Sequence, residues 1–277
     1  PCTGICHHAR DCEKFQTECE SCFFLKSKGK DLSTSVFDKK MSLYKDANIT
    51  FVGCSRWLSG RAKKSYLLRG KAVLSIPNPI DTKVYHPMDQ GMARELLGLP
   101  SGKRLLLFGA LNVTDKRKGI DYLIEALRRM EKQDVELVVF GQVKDDIRGL
   151  FPVPIHSMGY LSDESKIVAL YNAVDMFITS SLEENLPNTI MESMACGTPC
   201  VGFEIGGIPE MIDHRVNGYV ANYKDAGDLA NGIQWVLEHE DRLALSDACV
   251  KKVQENYTEE VVAKQYTALY EKLLKGE

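Results

Sequence analysis

The sequence predicts an α/β protein built on a doubly wound parallel sheet. From Lys103 onward, short apolar runs alternate with longer segments of helical periodicity, with few interruptions, and this is the pattern of successive β-α units. Residues 173–179 are apolar along nearly their whole length, which is typical of a strand covered on both faces. Because such sheets bind ligands outside the carboxyl ends of their strands, functional residues are expected there.

Residues 1–47 are polar and begin with a cluster of cysteines. We interpret 1–80 as the closing part of one domain, because a β-α-β order lies at its end. Residues 81–102 are predicted to be a linker, since prolines and glycines are frequent there. The elements expected in these regions are a helix at 36–46, a strand at 48–53, a helix at 55–68, a strand at 72–76 and a helix at 92–97.

Residues 103–257 are predicted to form the sheet domain, and 258–277 an amphipathic closing helix. The strands of the sheet are expected at 104–108, 135–140, 154–156, 176–179, 199–203 and 218–221. The helices are expected at 120–131, 162–172, 187–196, 208–212, 225–238, 241–254 and 259–274.

Composition excludes several classes of protein. The formal charge of −3 and the pI near 6.1 argue against an electrostatic nucleic-acid binder. No apolar run approaches the ~20 residues that span a bilayer, and no signal peptide is visible. The chain begins with Pro1 rather than methionine, so a fragment of a longer protein is expected. The expected location is the cytoplasm, with peripheral contact at the inner membrane face left open.

The most informative segment runs from Ser180 to Gly197, directly after the apolar run at 173–179. Pro187 suits the first position of a helix, and Gly197 suits the position just past the last turn. A loop is therefore expected to open into a helix N-terminus, where anionic ligands bind. Two carboxylates bracket this point, Glu184 in the loop and Glu192 in the helix. The alternative interpretation makes Glu184 a capping anion and Glu192 a solvated surface charge.

A second loop follows the first strand of the sheet domain. Gly109 permits a tight exit from that strand, and three cations, Lys116, Arg117 and Lys118, stand before Gly119. Cations at a helix start oppose the helix dipole, so a bound diphosphate that neutralises them would explain the run. A solvated basic loop is the alternative.

Other strand ends carry glycines. Gly206 and Gly207 follow the strand at 199–203 and could bring backbone N–H groups close to a phosphate or a sugar. An ordinary turn is the alternative. Gly141 follows another strand, and Tyr160 comes at the end of a third. Tyr160 could stack on a base, although an aromatic residue at this position is more often part of the core.

The order and spacing of these segments resemble retaining glycosyltransferases of family 4, which have the GT-B fold. The matching features are Lys118-Gly119, the E-x7-E pair Glu184 and Glu192, and the G-G-x-P-E segment at 206–210. Three ordered matches are far more specific than any one of them. The resemblance implies a complete, Rossmann-like donor-binding domain, preceded by the remnant of an acceptor domain in an N-terminally truncated chain.

The resemblance also implies roles for single residues. Lys118 would hold the donor diphosphate, Glu184 the transferred sugar and Glu192 the ribose. The family has an arginine where this chain has Ala110, and Arg117 is expected to supply the missing charge, with Lys116 as the alternative. The implied catalytic residues are Glu184, Lys118 and Arg117. The other implied donor-binding positions are Gly109, Ala110, Gly141, Tyr160, Asn185, Leu186, Pro187, Asn188, Thr189 and Gly207.

The function implied is transfer of a sugar from a UDP- or GDP-linked donor to a hydroxyl of a sugar or lipid-linked acceptor, with retention of anomeric configuration. Surface polysaccharide or glycoconjugate synthesis is the implied setting. No catalytic metal is expected, because lysine and arginine can neutralise the leaving diphosphate. A GT-B-type nucleotide-sugar epimerase and a non-catalytic nucleotide-sugar-binding fragment are the alternatives.

Five of the nine cysteines lie within the first 22 residues. An odd total without a secretory signal does not indicate a disulfide scaffold, so a reducing compartment is expected. Four thiolates with one C-x2-C pair suit a tetrahedral structural zinc, and plain reduced thiols are an equal alternative. The expected ligands are Cys6, Cys12, Cys19 and Cys22, with His7 and His8 as substitutes.

Overall fold

The computed structural model describes residues 2–6, 11–112, 115–130, 134–142 and 148–276. The chain divides into two compact units, Pro1–Pro77 and Asn78–Glu277. In this division the predicted linker, 81–102, falls within the second unit. The predicted domain boundaries themselves stay a prediction.

The first unit contains a small β-α-β arrangement. Its strands pair in parallel, with Phe51 opposite Val73, so the predicted β-α-β order is confirmed. Its longest helix begins at Asp31, whose carboxylate accepts hydrogen bonds from the backbone N–H groups of Ser33 and Thr34. The elements of this unit are α1 (Leu32–Lys45), β1 (Phe51–Gly53), α2 (Arg56–Lys63) and β2 (Val73–Ser75).

The helix expected at 55–68 is shorter than predicted. It ends at Lys63, and Tyr66–Leu68 forms a separate 3-10 turn. Ser65 causes the break, because its hydroxyl caps the new turn through the N–H of Leu67 and also donates to the carbonyl of Cys2.

The second unit alternates helices and strands as predicted. Its elements are α3 (Gln90–Leu97), β3 (Arg104–Asn112), α4 (Ile120–Arg129), β4 (Val135–Gln142), β5 (Ile155–Gly159), α5 (Glu164–Ala173), β6 (Met176–Thr179), α6 (Asn188–Ala195), β7 (Cys200–Phe203), α7 (Ile208–Met211), β8 (Gly218–Ala221), α8 (Ala226–Leu237), α9 (Arg242–Asn256) and α10 (Glu259–Lys275).

The six strands β3 to β8 form one parallel sheet in the order β5-β4-β3-β6-β7-β8. The chain thus builds one half outward from β3, returns to its other side at β6, and builds the second half in the opposite direction. This is the doubly wound arrangement that the sequence predicts, and the α/β fold class is confirmed. The reversal opens a crevice between the carboxyl ends of β3 and β6.

Both faces of this sheet are covered. Along β3, Leu105 and Leu107 join one buried cluster with α5, α6 and α9, whereas Leu106 and Phe108 join the other with α4 and α8. Alternate residues of a strand point to opposite faces, so a fully apolar strand requires helices on both sides. The apolar runs of the sequence are explained by this burial.

A buried ion cluster closes the amino end of the sheet, away from the crevice. Asp175, directly before β6, accepts hydrogen bonds from the N–H of Leu105 at 2.7 Å and from Arg94 Nη2 at 3.0 Å. Arg104 and Arg242 also pair with this carboxylate. Arg94 extends from α3, so the cluster ties α3 to the central strands.

No helix within the described residues combines the length and the apolar character that crossing a membrane requires.

Candidate functional site

The first side of the crevice is the end of β3. The strand was predicted to stop at residue 108, but it continues through Gly109 to Asn112, and its pairing with β4 shifts register between Gly109 and Asn112. The irregularity lets the strand continue beyond the predicted exit. A Cβ at Gly109 would lie 1.8 Å from the ring of Phe140, so only glycine fits there. Ala110 lies in this strand, and its side chain is outside the description.

The three predicted cations lie in a separate 3-10 turn, Lys116–Lys118, before α4 begins. Asp115 caps that turn, and its carboxylate accepts hydrogen bonds from Arg117 Nε at 3.1 Å and Nη2 at 2.6 Å. The Arg117 guanidinium lowers the pKa of Asp115 below its usual range. The turn therefore carries its own anion, and Arg117 points to that anion.

Lys118 faces the second loop of the crevice, which follows β6. Its ammonium Nζ lies 2.5 Å from Oε1 of Glu184. The Glu184 side chain is 14% exposed and that of Lys118 is 33% exposed, so both charges are largely withdrawn from water. The structure thus brings together two residues that are 66 positions apart and that the sequence assigns to the same ligand.

Close backbone contact holds the two loops together. Gly119 has a φ of +66°, and a Cβ there would lie 1.9 Å from the carbonyl oxygen of Ser180. The Ser180 hydroxyl donates to the carbonyl of Lys118 at 3.0 Å, and the N–H of Leu182 donates to that of Arg117 at 2.7 Å. Gly119 is therefore required both for its conformation and for this approach.

The Gly206-Gly207 turn after β7 presses on the same loop from another side. Gly206 has a φ of +60°, and a Cβ there would lie 1.9 Å from the carbonyl oxygen of Glu184. The N–H of Gly207 donates to the carbonyl of Asn185 at 2.5 Å. This N–H, which we predicted to approach a ligand, is used to fix the position of the loop that carries Glu184.

Helix α6 begins one residue later than predicted. Pro187 has φ −71° and ψ 117°, so it precedes the helix, which starts at Asn188. Leu186 is buried in the core beneath the loop, and Thr189 is partly exposed. Asn188 is exposed, and its side-chain oxygen lies 3.5 Å from the amide nitrogen of Asn78. The N-terminus of α6 therefore opens beside the crevice, as predicted.

Glu192 lies one turn inside α6, and its Oε2 accepts a hydrogen bond from the buried hydroxyl of Tyr171 at 2.7 Å. Burial raises the pKa of Glu192, and the bond from Tyr171 opposes that rise. The Tyr171 ring packs edge-on against Phe140 and Phe177. Glu192 is thus a positioned carboxylate, and its interpretation as a solvated surface charge is wrong.

The two remaining predicted positions lie in β4 and just after β5. Gly141 is buried in β4 with a φ of 123°. Tyr160 follows Gly159, which has a φ of +63°, and is 62% exposed. The interpretation of Tyr160 as a core aromatic is therefore wrong, whereas stacking on a base stays a prediction.

The first unit contains the predicted zinc ligands. Cys6, Cys12, Cys19 and Cys22 are free thiols that line one cavity. Within the part of the chain that the structure describes, no group of three histidine, cysteine, aspartate or glutamate side chains is close enough together to hold a metal ion. His7 and His8 lie outside the described residues. Zinc binding is untested by this geometry and stays a prediction.

Sequence reasoning missed three residues of the crevice. Asp115 could have been found, because an aspartate that precedes a turn-forming run is a capping signal. Ser180 and Tyr171 carry no such signal. A serine and a tyrosine acquire their roles from the tertiary fold, which places Ser180 against the Lys118 carbonyl and Tyr171 against Glu192.

Residues 102–239 match the family described as glycosyl transferases, group 1. This segment holds β3 to α8 and the crevice, and its similarity to the group 1 glycosyltransferases supports a transferase.

Curated relatives agree with this assignment. The N-acetyl-alpha-D-glucosaminyl L-malate synthase of Bacillus anthracis is 24% identical over 213 residues, which are 75% of this chain and 55% of that protein. The N,N'-diacetylbacillosaminyl-diphospho-undecaprenol alpha-1,3-N-acetylgalactosaminyltransferase of Campylobacter jejuni is 33% identical over 118 residues, 42% of this chain and 31% of that protein. The chain spans about half of the first relative's length and less of the second's.

Solved structures share the fold. Sucrose-phosphate synthase from Thermosynechococcus elongatus superposes with a TM-score of 0.75 at 21% identity, over 98% of this chain and 67% of that one. Anabaena HepE, solved in complex with UDP-glucose, superposes with a TM-score of 0.69 at 19% identity, over 84% of this chain and 67% of that one. These likenesses identify the architecture as that of GT-B glycosyltransferase structures.

Proposed function

We propose that the protein transfers a sugar from a nucleoside-diphosphate sugar to an acceptor hydroxyl, with retention of anomeric configuration. The observation that carries this proposal is the contact between Lys118 and Glu184 in the crevice between β3 and β6. One crevice thus holds a cation for phosphate and an acceptor of sugar hydroxyls. A ligand with both chemistries in one molecule, a sugar diphosphate, satisfies both residues at once.

The charge of the donor explains how it would enter. A diphosphate oxygen replaces Glu184 as the partner of Lys118, and the sugar hydroxyls then donate hydrogen bonds to the released Glu184 carboxylate. Charge-assisted hydrogen bonds of this kind contribute about 1.5–3 kcal/mol each. Lys118 would go on to stabilise the negative charge that builds up on the leaving diphosphate.

Arg117 is the second cation in this proposal. Its side chain is 62% exposed, and its guanidinium bonds to Asp115, two residues away. Rotation of this exposed side chain is enough to move the guanidinium from Asp115 to a phosphate, which exchanges one anionic partner for another. Two cations from one turn would then meet the diphosphate, so no catalytic metal is needed.

Glu192 is assigned to the ribose. Tyr171 binds its Oε2, so Oε1 is the oxygen that we assign to the ribose hydroxyls. The exposed Tyr160, at the end of β5, is assigned to the base. Support for a uridine donor comes from Anabaena HepE, which was solved with UDP-glucose. UDP- and GDP-linked donors are both retained as candidates.

The acceptor is proposed to be a sugar or a lipid-linked sugar, in surface polysaccharide or glycoconjugate synthesis at the cytoplasmic side of a membrane. Support comes from the name of the Campylobacter jejuni relative, whose acceptor is a diphospho-undecaprenol-linked sugar. The acceptor side of the reaction would lie in the part of the relatives that this chain does not span.

Nucleotide binding tests the donor part of the proposal. Isothermal titration calorimetry of UDP and GDP against this chain should give one site per chain for one of the two nucleotides. Lys118→Ala should weaken that binding about 10- to 100-fold, which corresponds to the loss of one charge-assisted contact. Glu184→Gln should raise UDP or GDP affinity, because these nucleotides take Lys118 from Glu184 and offer no sugar in return. The same variant should weaken binding of the matching nucleotide sugar.

Lys264→Ala is the matched control. Lys264 pairs with Glu260 at 2.8 Å on α10, but both residues are exposed, so nucleotide affinity should not change. Binding of neither nucleotide, or equal losses in Lys118→Ala and Lys264→Ala, would contradict the site. In the whole protein, an epimerised sugar formed in the absence of any acceptor would indicate an epimerase instead of a transferase.

A further inference from the structure

A cavity of about 550 Å³ lies in the first unit, and four cysteines contribute to its wall. They come from three separate places in the segment before α1: Cys6, Cys12, and the pair Cys19 and Cys22. Phe23 and Phe24 line the same cavity. Four thiols that face one space, in a chain with nine cysteines in all, form a set of soft ligands with no role in the crevice of the second unit.

The C-x2-C pair is held in a tight turn. Ser21, between the two cysteines, has a left-handed backbone with a φ of 45°. The N–H of Cys22 donates to the Asp31 carboxylate at 2.8 Å, and that same carboxylate caps α1. The turn is therefore fixed by the start of the helix. A C-x2-C turn brings two thiolates to one ion, which is the usual spacing in structural zinc sites.

One thiol already accepts a hydrogen bond from the backbone. The N–H of Gly4 lies 3.4 Å from Sγ of Cys19. A Cβ at Gly4 would lie 2.5 Å from the carbonyl oxygen of Ser33 and 3.3 Å from Cβ of Cys19, so only glycine permits this approach. Outer contacts of this kind orient metal ligands.

Two lysines place positive charge beside the same segment. Lys14 lines the cavity, and its ammonium donates to the carbonyls of Glu20 and Ser21 at 3.1 Å. Lys40, from α1, donates to the carbonyls of Thr3 and Gly4 at 2.8 and 2.7 Å. A metal with four thiolates carries a net charge of −2, and these ammonium groups offset part of that charge.

The segment before α1 contains little regular structure that could hold it in place by itself. Among its described residues, 2–6 and 11–31, the only helices are 3-10 turns at Lys14–Gln16 and Phe23–Leu25, and there is no strand. The core of the first unit is a cluster of eight buried residues that includes Phe15 and Cys19. Small units with little core are commonly held by a structural metal.

We propose that Cys6, Cys12, Cys19 and Cys22 bind one structural zinc ion in this cavity. Binding replaces four S–H protons by four zinc–sulfur bonds of about 2.3 Å and releases the protons to solvent. No three potential ligands among the described residues stand at metal spacing beforehand, so the thiols close on the ion as it binds. Closure fixes the segment before α1 and needs no contribution from the second unit.

Metal analysis tests this directly. The 277-residue chain, purified in zinc-containing medium without chelator, should carry one zinc per chain by inductively coupled plasma mass spectrometry. Replacing zinc by Co²⁺ should give the visible absorption bands of a tetrahedral cobalt–thiolate site. Cys19→Ser and Cys22→Ser should each lose the metal and lower the unfolding temperature of the first unit, while Cys54→Ser, in the same unit but away from the cavity, should keep it.

Three results would overturn the proposal. The first is a purified chain without stoichiometric metal. The second is a chain that contains iron and sulfide instead of zinc. The third is a chain that keeps its metal when Cys6 and Cys12 are replaced together. Where a variant is poorly folded, the wild-type chain decides the question. Removal of zinc by a thiol-specific mercurial reagent should release one equivalent of zinc. Readdition of Zn²⁺, after excess dithiothreitol has displaced the mercurial from the cysteines, should restore the original unfolding temperature.

Discussion

The contact of Gly119 with Ser180 gives a sharp test of the crevice, because the chain contains a matched control. Gly119 has a φ of +66° and would place a Cβ 1.9 Å from the Ser180 carbonyl oxygen, whereas Gly98 has a φ of +65° and open space around a Cβ. Both are capping positions at which a helix or turn ends. Alanine at either site meets the same backbone penalty, and only Gly119→Ala adds a clash.

The magnitudes follow from the two contributions. A non-glycine residue in the left-handed region costs about 1 kcal/mol, which is the whole effect expected for Gly98→Ala. At Gly119 the Cβ must displace a backbone carbonyl, and overpacking of this kind typically costs about 1–3 kcal/mol more. Gly119→Ala should therefore lower the free energy of unfolding by about 2–4 kcal/mol. It should also weaken nucleotide binding, because the turn that bears Lys118, the residue assigned to the diphosphate, is pushed out of position.

Urea denaturation followed by circular dichroism measures the first effect, and calorimetry with UDP or GDP measures the second. Gly98→Ala should leave nucleotide affinity unchanged. The reasoning fails if the two variants lose the same stability, or if Gly119→Ala binds nucleotide as tightly as the wild-type chain does.

Three further outcomes are expected. Tyr171→Phe removes a hydrogen bond that favours ionised Glu192, so the pKa of that carboxyl rises further. Because the proposed ribose contact needs the ionised carboxylate, nucleotide affinity should begin to fall at a higher pH than in the wild-type chain. An unchanged pH profile in calorimetry would contradict this. Arg94→Met leaves the buried Asp175 short of one partner and should lower the free energy of unfolding in urea by about 3 kcal/mol, whereas a loss under 1 kcal/mol would show the ion cluster to be dispensable. Tyr160→Ala should weaken nucleotide binding several-fold without loss of stability, because this ring is 62% exposed, and an affinity equal to that of the wild-type chain would remove the residue from the base site.

The sheet was predictable because its strands are apolar on both faces. All six strands of the sheet occur where the sequence predicts them, and their ends differ from the predicted ones by at most four residues. The extension of β3 through Gly109 was not predictable, since an irregular register depends on the partner strand β4. The early end of α2 at Lys63 was not predictable for a similar reason, because the Ser65 hydroxyl donates to the carbonyl of Cys2, which is distant in the sequence.

The sequence predicted which residues belong to the candidate site, but it did not predict the contacts among them. Motif spacing selected Lys118, Glu184 and Glu192, but only the fold shows that the first two lie in contact. The interpretation of Gly207 as a ligand-facing N–H could not anticipate that the N–H is bonded to Asn185. Local patterns identify which chemistry a loop carries, whereas partners that come from other loops are decided by packing.

The pairing of Lys118 with Glu184 has a consequence for selectivity. A free phosphate can occupy Lys118, but it then leaves a carboxylate that is only 14% exposed without its cation. Leaving a largely buried carboxylate unpaired is costly, so a ligand that offers only phosphate gains little binding free energy. A molecule that offers phosphate to Lys118 and hydroxyls to Glu184 avoids that penalty. Under the proposed function, the ion pair would therefore select against inorganic phosphate and simple phosphate esters, even without the contacts proposed for the base and the ribose.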